Sequence, residues 1–87
     1  MHTDEYTISL SREVAVCESL IRKIRGLLVG LEQRYGYSTE EFMEQFSNGL
    51  LSSERKDFRR WQDLAISLQA WTDKKEEYVA LLLQMKR

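Results

Sequence analysis

The stretch from Leu10 to Tyr35, LSREVAVCESLIRKIRGLLVGLEQRY, decides the fold class. Its apolar residues recur at alternating steps of four and three, at Leu10, Val14, Cys17, Ile21, Ile24, Leu28, Leu31 and Tyr35. This is the a/d repeat of a helix that packs along a neighbouring helix. The spacing predicts a first helix over residues 11–35. Gly36 marks its end, because glycine adopts the left-handed conformation that closes many helices.

Two further helices are predicted downstream. Ser38 and Glu41 have the spacing of a capping box, and Gly49 follows one short apolar face, so a second helix is expected over 39–48. A third helix is expected over 54–86, with Ser53 as its N-cap. There the alternating spacing returns, at Phe58, Trp61, Leu64, Leu68, Trp71, Lys75, Tyr78, Leu82 and Met85.

The first ten residues are harder to assign. Apolar and polar residues alternate from Tyr6 to Leu10, which is a weak strand signal. Residues 1–10 are therefore expected to form either a short strand or an extended arm that leads into the first helix.

Chain length points to self-association. The chain has 87 residues, enough for one domain over 1–87, and one cysteine, which cannot form an internal disulfide. Domains this small often need a disulfide, a metal or a partner subunit for stability. We expect an all-α fold: an antiparallel helical hairpin with a short connecting helix, dimerising into a four-helix-type bundle as a homodimer.

The end of the third helix is apolar nearly all round, more than a two-helix hairpin can cover. Leu20 and Leu27 widen the apolar stripe of the first helix in the same way. The predicted dimer or partner interface is therefore Tyr78, Val79, Leu81, Leu82, Leu83, Met85, Leu20 and Leu27. The alternative is that Tyr6, Ile8 and Leu10 of the same chain cover this end.

Three residues of the third helix's heptad positions, which we call its packing seam, each have two possible roles. Trp61 and Trp71 are of a type that anchors interfaces, but their seam spacing favours the core. Lys75 interrupts the seam, where a lysine either sets the register or extends its ammonium group to water.

Two groups of residues form a possible patch for a charged partner. One is the outer face of the first helix, with Arg22, Lys23, Gly26 and Gly30; the other is the start of the third helix, with Arg55, Lys56, Arg59 and Arg60. The alternatives are surface glycines that the helix tolerates and cations that are solvated or offset by Glu40, Glu41 and Glu44.

Composition excludes several classes of function. Thirteen basic against fourteen acidic residues argue against a general nucleic-acid coat and leave a local basic patch open. One histidine, and a Cys17 placed on the packing seam, leave no catalytic, cofactor-binding or metal site, so no enzyme, cofactor or small-molecule substrate is expected. No apolar run approaches the length that spans a membrane, and a lone cysteine fits the reducing cytoplasm.

The stretch from Leu31 to Phe42, LEQRYGYSTEEF, followed by Trp61, resembles a family of small bacterial and archaeal proteins. These carry a Tyr-Gly-Met-Ser-x-Glu-Glu-Phe signature and then a tryptophan in a final helix, and they resemble the antitoxins of toxin–antitoxin pairs. Tyr37 stands here in place of the methionine. The resemblance implies a binding protein that neutralises a partner toxin.

The expected function is thus a non-catalytic protein–protein interaction module, in an antitoxin-like role. Two alternatives stay open: a DNA-binding regulator that uses the Tyr6–Leu10 arm, and a structural homo-oligomeric subunit.

Overall fold

The structure, a computed structural model, describes residues 3–85, and in that range it contains three helices and no strand. Helix α1 covers Thr3–Tyr35, α2 covers Thr39–Ser47 and α3 covers Lys56–Met85. Helix α1 packs against α3 along its length, and α2 lies against α3 near the connection. The predictions of an all-α chain and of a hairpin-like pairing between the first and last helices are confirmed.

Two ion pairs define how α1 and α3 are aligned. Arg34 pairs with Asp57 at 3.3 Å, and Glu18 pairs with Lys75 at 3.3 Å. Moving back along α1 therefore corresponds to moving forward along α3, so the two helices are antiparallel. With 33 and 30 residues they have similar lengths, and the molecule is a rod of 55 × 21 × 18 Å.

Residues 3–10 form the first two turns of α1, so the prediction of an arm or a strand there was wrong. Tyr6 and Leu10 are four residues apart, a spacing that a helix also satisfies, and nothing between them breaks a helix. Leu10 is buried, 4% exposed, and the register places it level with Leu82. The packing seam of α1 thus extends toward the N-terminus beyond residue 11, and α3 does not extend beyond α1. Residues 1–2 of the predicted arm and residue 86 of the predicted third helix lie outside the described residues.

Glycines and a capping box set the ends of α1 and α2. Gly36 has a φ of +78° and its N–H donates to the Glu32 carbonyl at 2.8 Å. Ser38 and Glu41 make both bonds of the capping box. Gly49, with a φ of +74°, follows α2, which ends at Ser47. These positive φ angles are the reason that glycine occupies both positions.

Helix α3 begins two residues later than predicted. The hydroxyl of Ser52 accepts from the Glu54 N–H at 3.2 Å and forms a turn before the helix. The carbonyl of Arg55 then accepts from the N–H groups of Phe58 and Arg59. Ser53 is therefore not the N-cap, because the turn at Ser52 delays the first helical bond.

The core is thickest at the connected end, where three helices meet. Its fully packed residues are Ile24, Leu28, Phe42, Phe58 and Trp61. The rings of Phe42 and Trp61 stack with their centroids 4.1 Å apart and their planes 1° from parallel. Beyond α2 only two helices remain. There α1 still buries Leu10, Cys17 and Ile21, but no described residue of α3 after Trp61 is buried.

Candidate interaction surface

A chain of hydrogen bonds links the three helices at the connected end. The Trp61 indole N–H donates to the Thr39 hydroxyl at 3.1 Å, and that hydroxyl donates to the Glu32 carboxylate at 2.9 Å. The backbone N–H of Thr39 also donates to Glu32, at 2.7 Å. Trp61 is fully buried, so of its two predicted roles the structure shows the core role.

A second set of polar contacts joins α1 to α3 at the same end of the molecule. The hydroxyl of Tyr35 donates to the carboxylate of Asp57, which also pairs with Arg34. Asp57 is thus held by two residues of the last turn of α1. Composition gave no sign of this contact, since Asp57 is one of several acidic residues near the start of α3.

An apolar surface lies beside this ion pair. Leu27 of α1 and Leu64 of α3 line one cleft, together with Gly30, Leu31, Arg34, Asp57 and Arg60. Residues one heptad apart stay on the same side of packed helices, so Leu20 and Trp71 continue this surface, and Tyr78 follows Trp71. We name Leu20, Leu27, Leu31, Leu64, Trp71 and Tyr78 the apolar face.

None of these six side chains is fully buried. Leu27 is 39% exposed, and the other five are half-buried. Three of them, Leu31, Leu64 and Trp71, pack against the core cluster. Three side chains of the apolar face are therefore held in place by the core, while part of the face's apolar surface is exposed to solvent. Exposed apolar surface of this kind is typical of binding sites.

The predicted interface residues divide between different sides of the hairpin. Leu20, Leu27 and Tyr78 belong to the apolar face, and Met85 lies one heptad beyond Tyr78. Val79 and Leu83 line a groove on the opposite side of α3, with Thr72, Lys75, Glu76 and Ala80. Leu81 is 38% exposed, while Leu82 is half-buried on the seam. Leu31, Leu64 and Trp71 were not in the predicted interface, although their heptad spacing marked them.

The opposite groove is polar in its middle. Glu18, Ile21, Arg22, Arg25, Thr72 and Lys75 line it. Lys75 reaches across it to Glu18, and both side chains stay partly exposed. An ion pair between the helices thus holds the lysine that interrupts the seam.

The predicted charged patch is not one surface. Gly30 and Arg60 line the same cleft, but the other members are spread over the middle of α1 and the start of α3. A Cβ atom at Gly26 or Gly30 would have no neighbour within 4 Å, so no other part of the chain packs closely against either glycine.

Within the part of the chain that the structure describes, the cations at the start of α3 form no ion pair with the acidic residues of α2. Of the two ion pairs in the described residues, neither includes Glu40, Glu41 or Glu44, and the four cations are exposed, as the alternative of solvated charge expects. The reason is that α2 directs its capping carboxylate, Glu41, to its own N-terminus. The guanidinium group of Arg55 instead lies over the rings of Tyr35 and Phe58, at 5.9 and 5.3 Å.

Two further observations bear on the class of protein. Cys17 is 1% exposed and lies on the seam of α1. Across residues 3–85, none of the helices has both the length and the apolar character needed to span a bilayer.

No family model, curated protein or solved structure matches this chain. Its function is therefore argued from the geometry of its own surfaces.

Proposed function

We propose that this chain is a non-catalytic protein-interaction module that works as a homodimer, with two hairpins packed as a four-helix bundle. The observation that supports the proposal is the apolar face. Leu27 lies open on it beside the Arg34–Asp57 pair, and Leu20, Trp71 and Tyr78 are only partly covered. A second pair of helices is the covering that such a hairpin requires.

The exposed area of the chain supports the same proposal. A compact monomer of 10.3 kDa is expected to expose roughly 5,400 Å². This chain exposes 6611 Å². The difference is about 1,200 Å², which exceeds the roughly 800 Å² that each partner buries in a standard interface.

The dimensions agree with that comparison. The radius of gyration is 17.0 Å. A compact domain of this length is expected to have a value of about 12 Å. The rod therefore has enough uncovered side surface for a partner of similar length.

Light scattering coupled to size-exclusion chromatography tests the proposal. The expected mass at micromolar concentration is twice the 10.3 kDa of one chain. Leu27→Glu places a charge on the apolar face and should give the mass of one chain. Ile66→Glu is the matched control, because Ile66 is 56% exposed and lies outside the apolar face. A wild-type chain that stays monomeric throughout this range would overturn the homodimer.

The DNA-binding alternative loses its main structural element. It required the residues from Tyr6 to Leu10 as a β-ribbon, and they are helical. The cations at the start of α3 do not extend into a longer basic surface, because Asp57 lies among them in sequence and Glu54 and Asp63 flank them.

The antitoxin role stays a prediction. Within the fold, the residues that carry the resemblance are used for packing: Ser38 and Glu41 cap α2, Thr39 links Glu32 to Trp61, and Phe42 stacks on that indole. The motif thus accounts for the shape of the connection and leaves the partner unspecified. The structural-subunit alternative also stays a prediction.

A further inference from the structure

The apolar face is organised as a ladder of residue pairs across the hairpin. Arg34 and Asp57 form its first rung as an ion pair, and Leu27 and Leu64 form the second, in one cleft. Steps of seven residues along both helices give the next two rungs, Leu20 with Trp71 and Glu13 with Tyr78. The Glu18–Lys75 pair shows that the antiparallel alignment continues this far.

The ladder on α1 reads almost the same in both directions. Two leucines, Leu20 and Leu27, occupy the middle, and each has a charged residue seven positions farther out. At one end this residue is Arg34, and at the other it is Glu13; both are exposed. A second copy that runs in the opposite direction would place leucine against leucine and each arginine against a glutamate.

Charge at the connected end favours the same arrangement. Arg55, Lys56, Arg59 and Arg60 are exposed there, and none of them takes part in an ion pair among the described residues. Two hairpins with their connections at the same end would bring these two clusters together. Opposite directions keep them far apart, at the two ends of the bundle, while Glu54, Asp57 and the acidic residues of α2 at the same end reduce the like-charge repulsion that this avoids.

We propose that the occupant of the apolar face is a second copy of this chain in the opposite direction. Helix α1 then packs against α1 of the partner subunit, with Glu13 paired to Arg34 of the partner subunit and Leu20 against Leu27 of the partner subunit. Helix α3 packs against its own counterpart, with Leu64 next to Trp71 of the partner subunit. This proposal rests on the proposed homodimer and specifies its interface and direction.

Pulsed electron spin resonance on the full chain tests the direction. A spin label at Ser53→Cys marks the connected end, where Ser53 is exposed, while Cys17 is buried and stays unlabelled in a wild-type control. Opposite directions place the two labels about 45 Å apart, from the rise of roughly 1.5 Å per helical residue. The same direction places them within about 30 Å, since packed helices are roughly 10 Å apart.

The outcomes separate this proposal from the one on which it rests. A distance near 45 Å supports it. A short distance in a protein with the mass of a dimer overturns the direction and leaves the homodimer standing. Absence of dipolar coupling, with the mass of one chain, overturns both.

A charge-exchange series tests the Glu13–Arg34 contact independently. Glu13→Arg should raise the dissociation constant of the dimer about threefold to tenfold, since each dimer contains two such exposed pairs. Because Arg34 also pairs with Asp57 of its own chain, the reference for the double variant is Arg34→Glu alone, and Glu13→Arg should raise the affinity of that single variant. Glu77→Arg, on the outer side of α3, should leave the affinity unchanged. Circular dichroism checks that each variant stays helical. A double variant that binds no more tightly than Arg34→Glu alone would overturn the contact.

Discussion

The indole nitrogen of Trp61 lies 3.1 Å from the hydroxyl oxygen of Thr39, so the last helix is bonded to the first residue of the short second helix. The same hydroxyl donates to Glu32, which brings in the first helix. One threonine side chain therefore joins all three helices. Because the Trp61 side chain is fully buried, its N–H has no access to water if this acceptor is lost.

Thr39→Val tests this junction. Valine has nearly the same shape but no hydroxyl, so the buried indole N–H loses its acceptor, and the free energy of unfolding should fall by about 1–3 kcal/mol. Thr39→Ser keeps the hydroxyl and should lose less. Urea unfolding monitored by tryptophan fluorescence measures both. A valine variant as stable as the serine variant would mean that the bond does not stabilise the junction.

Two glycines, one inside α1 and one just after it, should respond in opposite ways to alanine. Gly36 has a φ of +78°, a conformation that costs a residue with a Cβ roughly 1–2 kcal/mol, so Gly36→Ala should destabilise the fold. Gly26 is helical, and a methyl group added there would meet no other atom within 4 Å, so Gly26→Ala should stabilise by about 0.5–1 kcal/mol. Thermal unfolding of the two variants measures the difference. Equal shifts of the same sign would contradict it.

The thiol of Cys17 should be unreactive in the native protein. It is 1% exposed on the seam between α1 and α3, so a thiol reagent reaches it only when the helices separate. The labelling rate with a chromogenic disulfide should follow the opening of the hairpin and rise steeply as urea approaches the unfolding midpoint. Glu18→Cys, one residue later on the exposed side, should be labelled at once in native buffer. Similar rates at both positions would show that the two-helix half is open.

Heptad spacing predicted the pairing of the helices because burial follows it. Every buried residue of α1 lies on the predicted seam, and so do Phe58 and Trp61 of α3. The turn between α1 and α2 was predictable for a similar reason, since Gly36, Ser38 and Glu41 act locally.

The errors arose where local patterns were ambiguous. Five alternating residues, from Tyr6 to Leu10, fit a strand and a helix equally well, and the packing of Leu10 decided for the helix. Serine at both 52 and 53 gave two possible turns, and the bond from Glu54 selected Ser52.

The candidate interface was predicted from apolar content rather than from position, which is why its residues divide between two sides. Val79 and Leu83 are as apolar as Tyr78 and Met85, yet they line the opposite groove. Only the alignment of α1 with α3, given by two ion pairs, shows which leucines share a face.

The central claim is that a second copy of the chain covers the apolar face and thereby stabilises the folded hairpin. Thermal unfolding at several protein concentrations tests it most directly, since association stabilises the folded state by mass action. The unfolding temperature should rise by roughly 3–5 °C for each tenfold increase in concentration. In Leu27→Glu, this dependence should vanish and the unfolding temperature should be lower. An unfolding temperature of the wild-type chain that is independent of concentration would contradict the claim.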